Sequence, residues 1–219
     1  MNTELLRQNG RDLLVYYAGW GTPPHTAVHS LGLPAGHDVL LCWDYCSLHA
    51  PEADWSAYQN LRLVAWSLGV WAAEHSLPAG LDWAAATAVN GTPLPIDDQY
   101  GIPAATFHAT LAQLDDEGRR RFERRMCGSA EQLAHYHALP GRRALDDIHA
   151  ELTAVARQAA GTPHSHLPWQ HALIGRQDRI FPAAHQQHYW QTHAVNIIDH
   201  PGSHYPWPQL DGWSALWPN

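Results

Sequence analysis

The sequence predicts an α/β protein built on a mostly parallel central sheet, and two observations support that prediction. Short, continuous apolar segments recur along the chain and are bounded by Gly, Pro, Asn and Asp, which is typical of strands buried on both faces. Helical stretches alternate with these segments, and this alternation is typical of parallel strands joined by crossover helices. The predicted strands are residues 13–17, 39–43, 61–66, 83–89, 171–174 and 194–198.

A long helical stretch interrupts the alternation between residues 94 and 163. Asp115 precedes two further acidic residues, and Ser129 is followed by Gln132 in the pattern of a capping box; both features mark helix N-termini. We therefore expect a core formed by residues 1–94 and 164–219 and a helical lid insertion formed by residues 95–163. The predicted helices of the insertion are residues 103–114, 115–126, 129–137 and 145–159.

The composition excludes several classes of function. Hydrophobic residues make up 45% of the 219 residues and charged residues only 16%, so the chain can bury a substantial core. The net charge of −8 argues against a general affinity for nucleic acid or for an anionic membrane. All 13 basic residues are arginine, which excludes a Schiff-base lysine and the lysine of a phosphate-binding loop.

Cysteine usage and the N-terminal sequence predict a cytoplasmic protein. The three cysteines, Cys42, Cys46 and Cys127, are few and odd in number, which fits a reducing compartment better than a disulfide framework. Residues 1–12 lack a cationic stretch followed by an apolar one, and no apolar segment approaches the length that spans a bilayer. We expect neither a signal peptide nor a membrane span.

Ser67 is the candidate nucleophile. It directly follows the predicted strand at residues 61–66 and precedes a helix that begins near Leu68, which is the setting of a nucleophile elbow. The residues two positions away on either side, Ala65 and Gly69, are small, as this sharp turn requires. A serine hydroxyl is a poor nucleophile without a base that takes its proton, so the assignment depends on a histidine reaching the same place.

His204 and Asp178 are the candidate base and its orienting acid. His204 follows the last predicted strand and is preferred to His200, while Asp178 follows the strand before it. Loops at the carboxyl ends of parallel strands meet at one edge of the sheet, and the chain order Ser, Asp, His is one that this catalytic arrangement uses. Alone, Asp178 would more simply be a helix N-cap or the ion-pair partner of a neighbouring arginine.

Two backbone N–H groups are candidates for an oxyanion hole. Leu68 provides one at the start of the helix, and Trp20 provides the other in the Gly19-Trp20-Gly21 turn after the first predicted strand. Glycines beside Trp20 let the backbone approach a carbonyl oxygen closely. The alternative for this segment is an ordinary tight turn.

The helical insertion carries a local excess of positive charge. Residues 118–143 contain seven arginines but only two glutamates, Glu123 and Glu131. This pattern has two explanations that the sequence leaves open: a solvated helix face, or a docking surface for an acidic partner. The seven are Arg119, Arg120, Arg121, Arg124, Arg125, Arg142 and Arg143.

Five motifs together resemble a known family. They are Y-Y-A-G-W-G, A-W-S-L-G-V-W-A, V-N-G-T-P-L-P-I-D-D-Q-Y-G-I-P, G-R-Q-D-R-I-F-P and H-Y-P. They resemble the BioG-type pimeloyl-[acyl-carrier-protein] methyl ester esterases, which are compact α/β-hydrolases of biotin synthesis. The similarity spans residues 13–207, and the N-G-T-P-L-P-I-D-D block makes it specific. The chain is more distantly similar to the BioH esterases, which share the G-W-G and W-S-L-G motifs.

The resemblance implies an α/β-hydrolase in which Ser67 is the nucleophile, Asp178 the acid and His204 the base, with Trp20 and Leu68 lining the oxyanion hole. The implied reaction hydrolyses the methyl ester of a pimeloyl-carrier protein and needs no metal and no cofactor. The acidic carrier protein would then dock on the arginines of the lid. The N-terminal strands that precede the first core strand of larger hydrolases are expected to be absent.

Tryptophans surround the predicted elbow and have two interpretations. Trp20, Trp66 and Trp71 would either wall an apolar channel for the acyl chain or simply belong to the core. The sequence does not decide between them, since both environments favour a large aromatic ring.

Two other functions compete with the implied one. A general short-chain carboxylesterase or acyl-thioesterase would use the same fold and the same three residues. A non-enzymatic metal-binding protein would use some of the 17 histidines, although none has the spacing of a structural zinc site. The candidate pairs are His25 and His29, His135 and His137, His164 and His166, and His185 and His188.

Overall fold

The core of the protein is one sheet of seven strands, seen in a computed structural model that describes residues 1–159 and 166–217. The strands follow the spatial order β1-β3-β2-β4-β5-β6-β7. Strands β2 to β7 are parallel, and β1 alone pairs antiparallel, with β3. The strands are β1 (Asn2–Leu6), β2 (Asp12–Tyr17), β3 (His37–Trp43), β4 (Leu61–Trp66), β5 (Trp83–Val89), β6 (His171–Gly175) and β7 (Asn196–His200).

Seven helices accompany the sheet within the described part of the chain. They are α1 (Thr26–Leu31), α2 (Leu68–Ser76), α3 (Ala104–Ala112), α4 (Asp116–Cys127), α5 (Ala130–Ala138), α6 (Leu145–Gln158) and α7 (Ala183–Thr192). Helix α2 packs on β2 and β4, and α7 packs on β6 and β7. The inner strands are apolar along their whole length because both faces are covered; every residue of β2 after Asp12 is buried. The predicted fold class is confirmed.

The predicted strands are all present, with one shift and one addition. The last strand begins at Asn196 rather than at residue 194, because Ala194 has a left-handed backbone with a φ of 55° and ends the preceding turn. The expected absence of earlier strands is wrong: β1 precedes the first core strand and pairs with β3 from Asn2 opposite Trp43 to Leu6 opposite Val39. Its N-T-E-L-L sequence lacks a continuous apolar run because it is an edge strand that is mostly exposed.

Helices α3 to α6 follow β5 and precede β6 in the chain, in the region of the predicted helical insertion. Two of the predicted N-termini are confirmed: Asp115 accepts the Gly118 N–H at 2.7 Å, and Ser129 accepts the Gln132 N–H at 3.2 Å. The predicted boundary at residues 163–164 lies outside the described residues. The division into core and lid therefore stays a prediction. Within residues 1–159 and 166–217, no helix combines the length and the apolar character that crossing a membrane requires.

The end of the insertion is tied to the core by a buried carboxylate. Glu151 on α6 is 1% exposed and accepts hydrogen bonds from the Tyr45 N–H and from the Arg143 guanidinium. Burial raises the pKa of Glu151, although the charge of Arg143 opposes that shift. These contacts hold α6 against the loop that follows β3, so this part of the insertion is fixed relative to the sheet.

Candidate active site

Ser67 lies in a strained turn between β4 and α2. Its φ of 58° and ψ of −126° place it in a region that residues with a side chain rarely adopt, at a cost of about 1–3 kcal/mol. The surrounding structure holds it there: its N–H donates to the Val89 carbonyl at 2.8 Å. The turn lifts the side chain off the end of β4 toward the edge of the sheet where β6 and β7 also end.

The turn requires glycine at two neighbouring positions because other backbone atoms approach closely. A Cβ on Gly69 would lie 2.8 Å from the Tyr17 carbonyl oxygen, and one on Gly91 would lie 2.5 Å from the Ser67 carbonyl oxygen. Gly69 is the small residue that the elbow pattern predicts, whereas Gly91, in the N-G-T-P motif, contacts the elbow from the end of another strand. Ala65 is completely buried on the other side of the turn.

The three side chains singled out in the sequence form one hydrogen-bonded chain. The Nε2 of His204 is 2.9 Å from the Oγ of Ser67, and its Nδ1 is 2.7 Å from the Oδ2 of Asp178. All three residues are at least nine-tenths buried. His204 and Ser67 are 137 positions apart in the chain, and they meet because the loops after β4, β6 and β7 share one edge of the sheet.

The carboxylate of Asp178 has a defined orientation because each of its oxygens accepts two hydrogen bonds. Oδ1 accepts from the Ile180 and Phe181 N–H groups at 2.8 and 2.9 Å. Oδ2 accepts from Gln186 Nε2 at 3.0 Å in addition to the His204 ring. Asp178 is not the N-cap of α7, which is Pro182; its Oδ1 instead holds the turn that follows β6, and its Oδ2 meets the histidine.

Two residues that hold these groups are not predicted from the sequence. Gln186 on α7 orients Asp178, and Asn90 after β5 donates to the backbone of the loop that carries His204. Neither type carries reactive chemistry of its own. The only local signal for Asn90 is its place in the N-G-T-P motif directly after a predicted strand, and Gln186 has no comparable signal.

The two residues that carry the predicted oxyanion groups line the same cavity as Ser67. Trp20 and Leu68 line that cavity together with Gly19 and His204. In the part of the chain that the structure describes, the backbone N–H groups of Trp20 and Leu68 have no hydrogen-bond acceptor. Two free N–H groups beside a serine hydroxyl can stabilise the negative charge that develops on a carbonyl oxygen under attack.

The walls of this cavity are mostly apolar, and about half of its lining residues come from the region of the predicted helical insertion. Phe107 lies on α3, Phe122 and Met126 lie on α4, and Leu152 lies on α6. The rings of Phe122 and Trp20 meet edge to face with centroids 4.9 Å apart. An apolar chamber with one polar end suits an acyl chain whose reacting carbonyl reaches Ser67.

The predicted tryptophan channel is only partly present. Trp20 and Trp66 line the cavity. Trp71 does not: it is buried within α2 and packs against His75, with ring centroids 5.3 Å apart. Trp71 is 1% exposed, and its ring lies among the buried side chains of the core rather than in the cavity wall. It is therefore a core residue.

Comparison with known proteins identifies the family to which this chain belongs. The sequence profile described as pimeloyl-ACP methyl esterase BioG matches residues 1–216. The crystal structure of BioG from Haemophilus influenzae has a TM-score of 0.92 to this chain at 43% identity and covers 99% of this chain and 100% of its own. The chain belongs to the BioG family of pimeloyl-ACP methyl esterases. The family resemblance in the sequence is therefore confirmed.

Two further relatives bear on the fold and on the family. An esterase from Exiguobacterium antarcticum, only 10% identical, has a TM-score of 0.68 over 94% of this chain and 89% of its own, which shows the α/β-hydrolase fold alone. A malonyl-[acyl-carrier protein] O-methyltransferase from Bacteroides fragilis is 38% identical over 196 residues, and the match covers 89% of this chain but 40% of that longer protein.

The seven arginines of this BioG family member are not equivalent. Arg119 is 6% exposed and donates to Glu123, and the side chain of Arg143, which is 8% exposed, is paired with Glu151 and Asp44. These two cannot serve a docking surface, because their charges are already paired inside the protein. Arg142 also donates to Glu123, at 3.2 Å. The remaining members, Arg120, Arg121, Arg124 and Arg125, are exposed on α4.

Glu123 is the centre of the buried part of this cluster and is 2% exposed. Burial raises its pKa, but hydrogen bonds from His137 and Arg119 and the charge of Arg142 outweigh burial and leave the pKa below its ordinary value of 4.5. A lowered pKa in the folded state means that the stabilisation is present above pH 4.5 and is lost as the pH falls through the folded-state pKa.

We expect Glu123→Gln to lower the free energy of unfolding by about 3 kcal/mol at pH 7, because it leaves the buried Arg119 without its counter-charge. Urea unfolding followed by circular dichroism measures the change. Glu131→Gln, which removes an exposed carboxylate from α5, is the matched control and should stay within about 0.5 kcal/mol of wild type. The difference between the Glu123 variant and wild type should shrink below pH 4; a difference that is constant with pH would contradict the ion-pair explanation.

The histidines do not assemble a metal site within residues 1–159 and 166–217, where no three His, Cys, Asp or Glu side chains converge. The rings of His25 and His29 lie 5.8 Å apart, and His25 contacts Glu4 at 3.1 Å. His185 donates from Nδ1 to the Gly101 carbonyl at 2.8 Å. One member of the predicted pairs, His164, lies outside the described residues.

Proposed function

We propose that Ser67, His204 and Asp178 hydrolyse the methyl ester of a pimeloyl-carrier protein through an acyl-enzyme. The observation that carries this proposal is the continuous hydrogen-bonded chain from Ser67 Oγ through the imidazole to Asp178. Membership in the BioG family indicates the substrate class. The hydrogen-bonded series of three side chains indicates the chemistry. Asp178 holds the proton of His204 on Nδ1, which leaves Nε2 free to accept the proton of Ser67.

The reaction then follows two acyl-transfer steps. Ser67 Oγ attacks the ester carbonyl while His204 takes its proton, and the N–H groups of Trp20 and Leu68 stabilise the oxyanion. Collapse expels methoxide, which takes the proton from His204 and leaves as methanol. Water, deprotonated by His204, attacks the acyl-enzyme; Ser67 recovers its proton, and the product is the free carboxylate on the carrier.

The acyl chain enters from a groove beside the cavity. This groove, of about 680 Å³, shares Thr106, Thr110, Arg125 and Arg179 with the cavity wall, so the two spaces join there. Arg125 and Arg179 are exposed, and neither has a carboxylate partner among the described residues. Free guanidinium groups at this opening suit the phosphate of the prosthetic arm on which a carrier protein bears its acyl group.

The outer side of the groove suits the acidic carrier protein itself. Arg121 and Arg124 line it, and both share the exposed carboxylate of Glu117 with Arg120. Three arginines around one glutamate retain a net positive charge. An acidic helix of the carrier can therefore be attracted to this face by long-range charge.

We expect Arg121→Glu combined with Arg124→Glu to raise KM for the carrier-bound methyl ester about tenfold, because two attractive charges become repulsive. Steady-state kinetics with a p-nitrophenyl ester, which needs no carrier contact, should be unchanged. Arg11→Glu is the matched control, since Arg11 precedes β2 at the opposite edge of the sheet. The effect should weaken at high salt, and an equal loss on both substrates would exclude docking at this face.

Substrate identity is tested by comparing kcat/KM for the carrier-bound pimeloyl methyl ester with kcat/KM for a p-nitrophenyl ester. The proposal expects strong preference for the carrier-bound ester and restored growth of a biotin-requiring strain that lacks its own methyl esterase. A general short-chain carboxylesterase would prefer the small ester and would not restore growth. An acyl-thioesterase would release the acyl chain from the carrier instead of methanol.

A further inference from the structure

The turn after β5 contacts both the elbow and the loop that carries His204. The Val89 carbonyl accepts the N–H of Ser67, and the Cα of Gly91 packs on the Ser67 carbonyl. Asn90 stands between them, with no exposed surface and a left-handed φ of 48°. Asparagine is among the few residues other than glycine that adopt this backbone readily.

The side chain of Asn90 uses both donors and its acceptor in the interior. Its Nδ2 donates to the Ser203 carbonyl at 3.1 Å and to the His204 carbonyl at 3.0 Å. Its Oδ1 accepts the Gly175 N–H at 2.7 Å, at the end of β6. The amide therefore links the end of β5, the end of β6 and the backbone of His204, which are the elements around the reacting groups.

The bonding pattern requires an amide at this position. Aspartate has the same shape but only acceptors, so one of its oxygens would face two carbonyl oxygens without a proton between them. The indole N–H of Trp66 donates to the same His204 carbonyl at 2.9 Å. Two independent donors thus fix the backbone of a residue whose imidazole must stay aligned with Ser67 Oγ.

We infer that Asn90 is a positioning residue for the reaction, which holds the imidazole of His204 in line with Ser67. This inference rests on the proposed function. Asn90 does not touch the reacting atoms; it acts through the backbone of His204. A displacement of the base by about 1 Å is sufficient to lower turnover by about 100-fold.

Two variants of the full chain test this role. Asn90→Gly removes the amide and keeps the left-handed backbone without strain, and Asn90→Asp keeps the shape and removes both donors. With a p-nitrophenyl ester we expect kcat per active site to fall about 10- to 100-fold with KM within about twofold. The rate of Ser67 acylation by a fluorophosphonate should fall by the same factor, and the pH profile of kcat/KM should shift.

The matched control is Thr87→Val. Thr87 lies on β5, the strand that Asn90 follows, is equally buried, and donates to the Leu216 carbonyl instead of to the loop that carries His204. It should lower stability without changing kcat per active site. Trp66→Phe, which removes the other donor to the His204 carbonyl, should lower kcat in the same direction as the Asn90 variants and keeps the test valid if those variants fold poorly.

The outcomes separate this inference from the proposed function. Asn90 variants that melt earlier but retain wild-type kcat per titrated site and the wild-type pH profile would make Asn90 merely structural and would overturn the inference. A wild-type protein that is not labelled at Ser67 would overturn the proposed function and this inference with it. Labelled wild type with slowed Asn90 variants supports both.

Discussion

Ser67→Ala is expected to lower kcat for the carrier-bound methyl ester by about 10⁶-fold, the size of loss seen when a catalytic serine is removed. Alanine keeps the left-handed turn and the packing of the elbow, so the change removes the nucleophile and little else. Binding of the acyl chain depends on the apolar walls from α3, α4 and α6, and KM should change little. Initial-rate kinetics with methanol release as the readout measure the effect.

Covalent labelling provides an independent readout for the same variant. A fluorophosphonate should add one mass increment to the wild-type chain, located on the peptide that contains Ser67, and none to Ser67→Ala. Ser76→Ala is the matched control: Ser76 is a buried serine at the end of α2, the helix that Ser67 precedes, and is hydrogen-bonded to the Tyr17 hydroxyl; its loss should leave labelling intact. Labelling of another serine, or full activity in Ser67→Ala, would contradict the mechanism.

Asp178→Asn is expected to lower kcat by about 10⁴-fold. The amide would turn a donor toward Nδ1 of His204 and select the tautomer that carries its proton on Nε2, which then cannot accept the proton of Ser67. The two N–H groups of Ile180 and Phe181 still hold the side-chain oxygen, so the fold should persist. KM should stay within a few-fold of wild type, since Asp178 lies behind the imidazole.

Asp199→Asn is the control for this second prediction. Asp199 also lies near the carboxyl end of a strand, β7, but it is exposed and pairs with Arg176. Its replacement should leave kcat unchanged. An Asp178→Asn variant with more than a tenth of wild-type kcat would show that the carboxylate does not select the histidine tautomer.

Local features of the fold were predictable from the sequence because their causes lie within a few residues. Strands β4 and β5 were predicted at their observed bounds, since a buried parallel strand needs a continuous apolar run. The caps at Asp115 and Ser129 depend on an oxygen and an N–H three residues apart. β1 escaped prediction because an edge strand owes its pairing to β3 rather than to an apolar pattern of its own.

The three reacting residues of the candidate site were predictable from the sequence, but the residues that hold them in place were not. Ser67, Asp178 and His204 could be selected because each follows a strand and parallel strands end at one edge. Gln186 and Asn90 could not, because an amide becomes informative only when its partners are known. The same limit applies to Trp71, whose ring direction depends on the packing of α2.

The sequence by itself determined the fold class, the family and the three residues of the proposed triad. Only the tertiary structure decided which arginines are free: the side chains of Arg119 and Arg143 are buried and paired with carboxylates, whereas Arg125 and Arg179 open onto the groove. The physical reason is the distance along the sequence between the interacting residues. The apolar pattern of a strand and the cap of a helix depend on residues within one element. The pairing of a charge depends on carboxylates that folding brings close, as it brings Glu151 and Asp44 to Arg143.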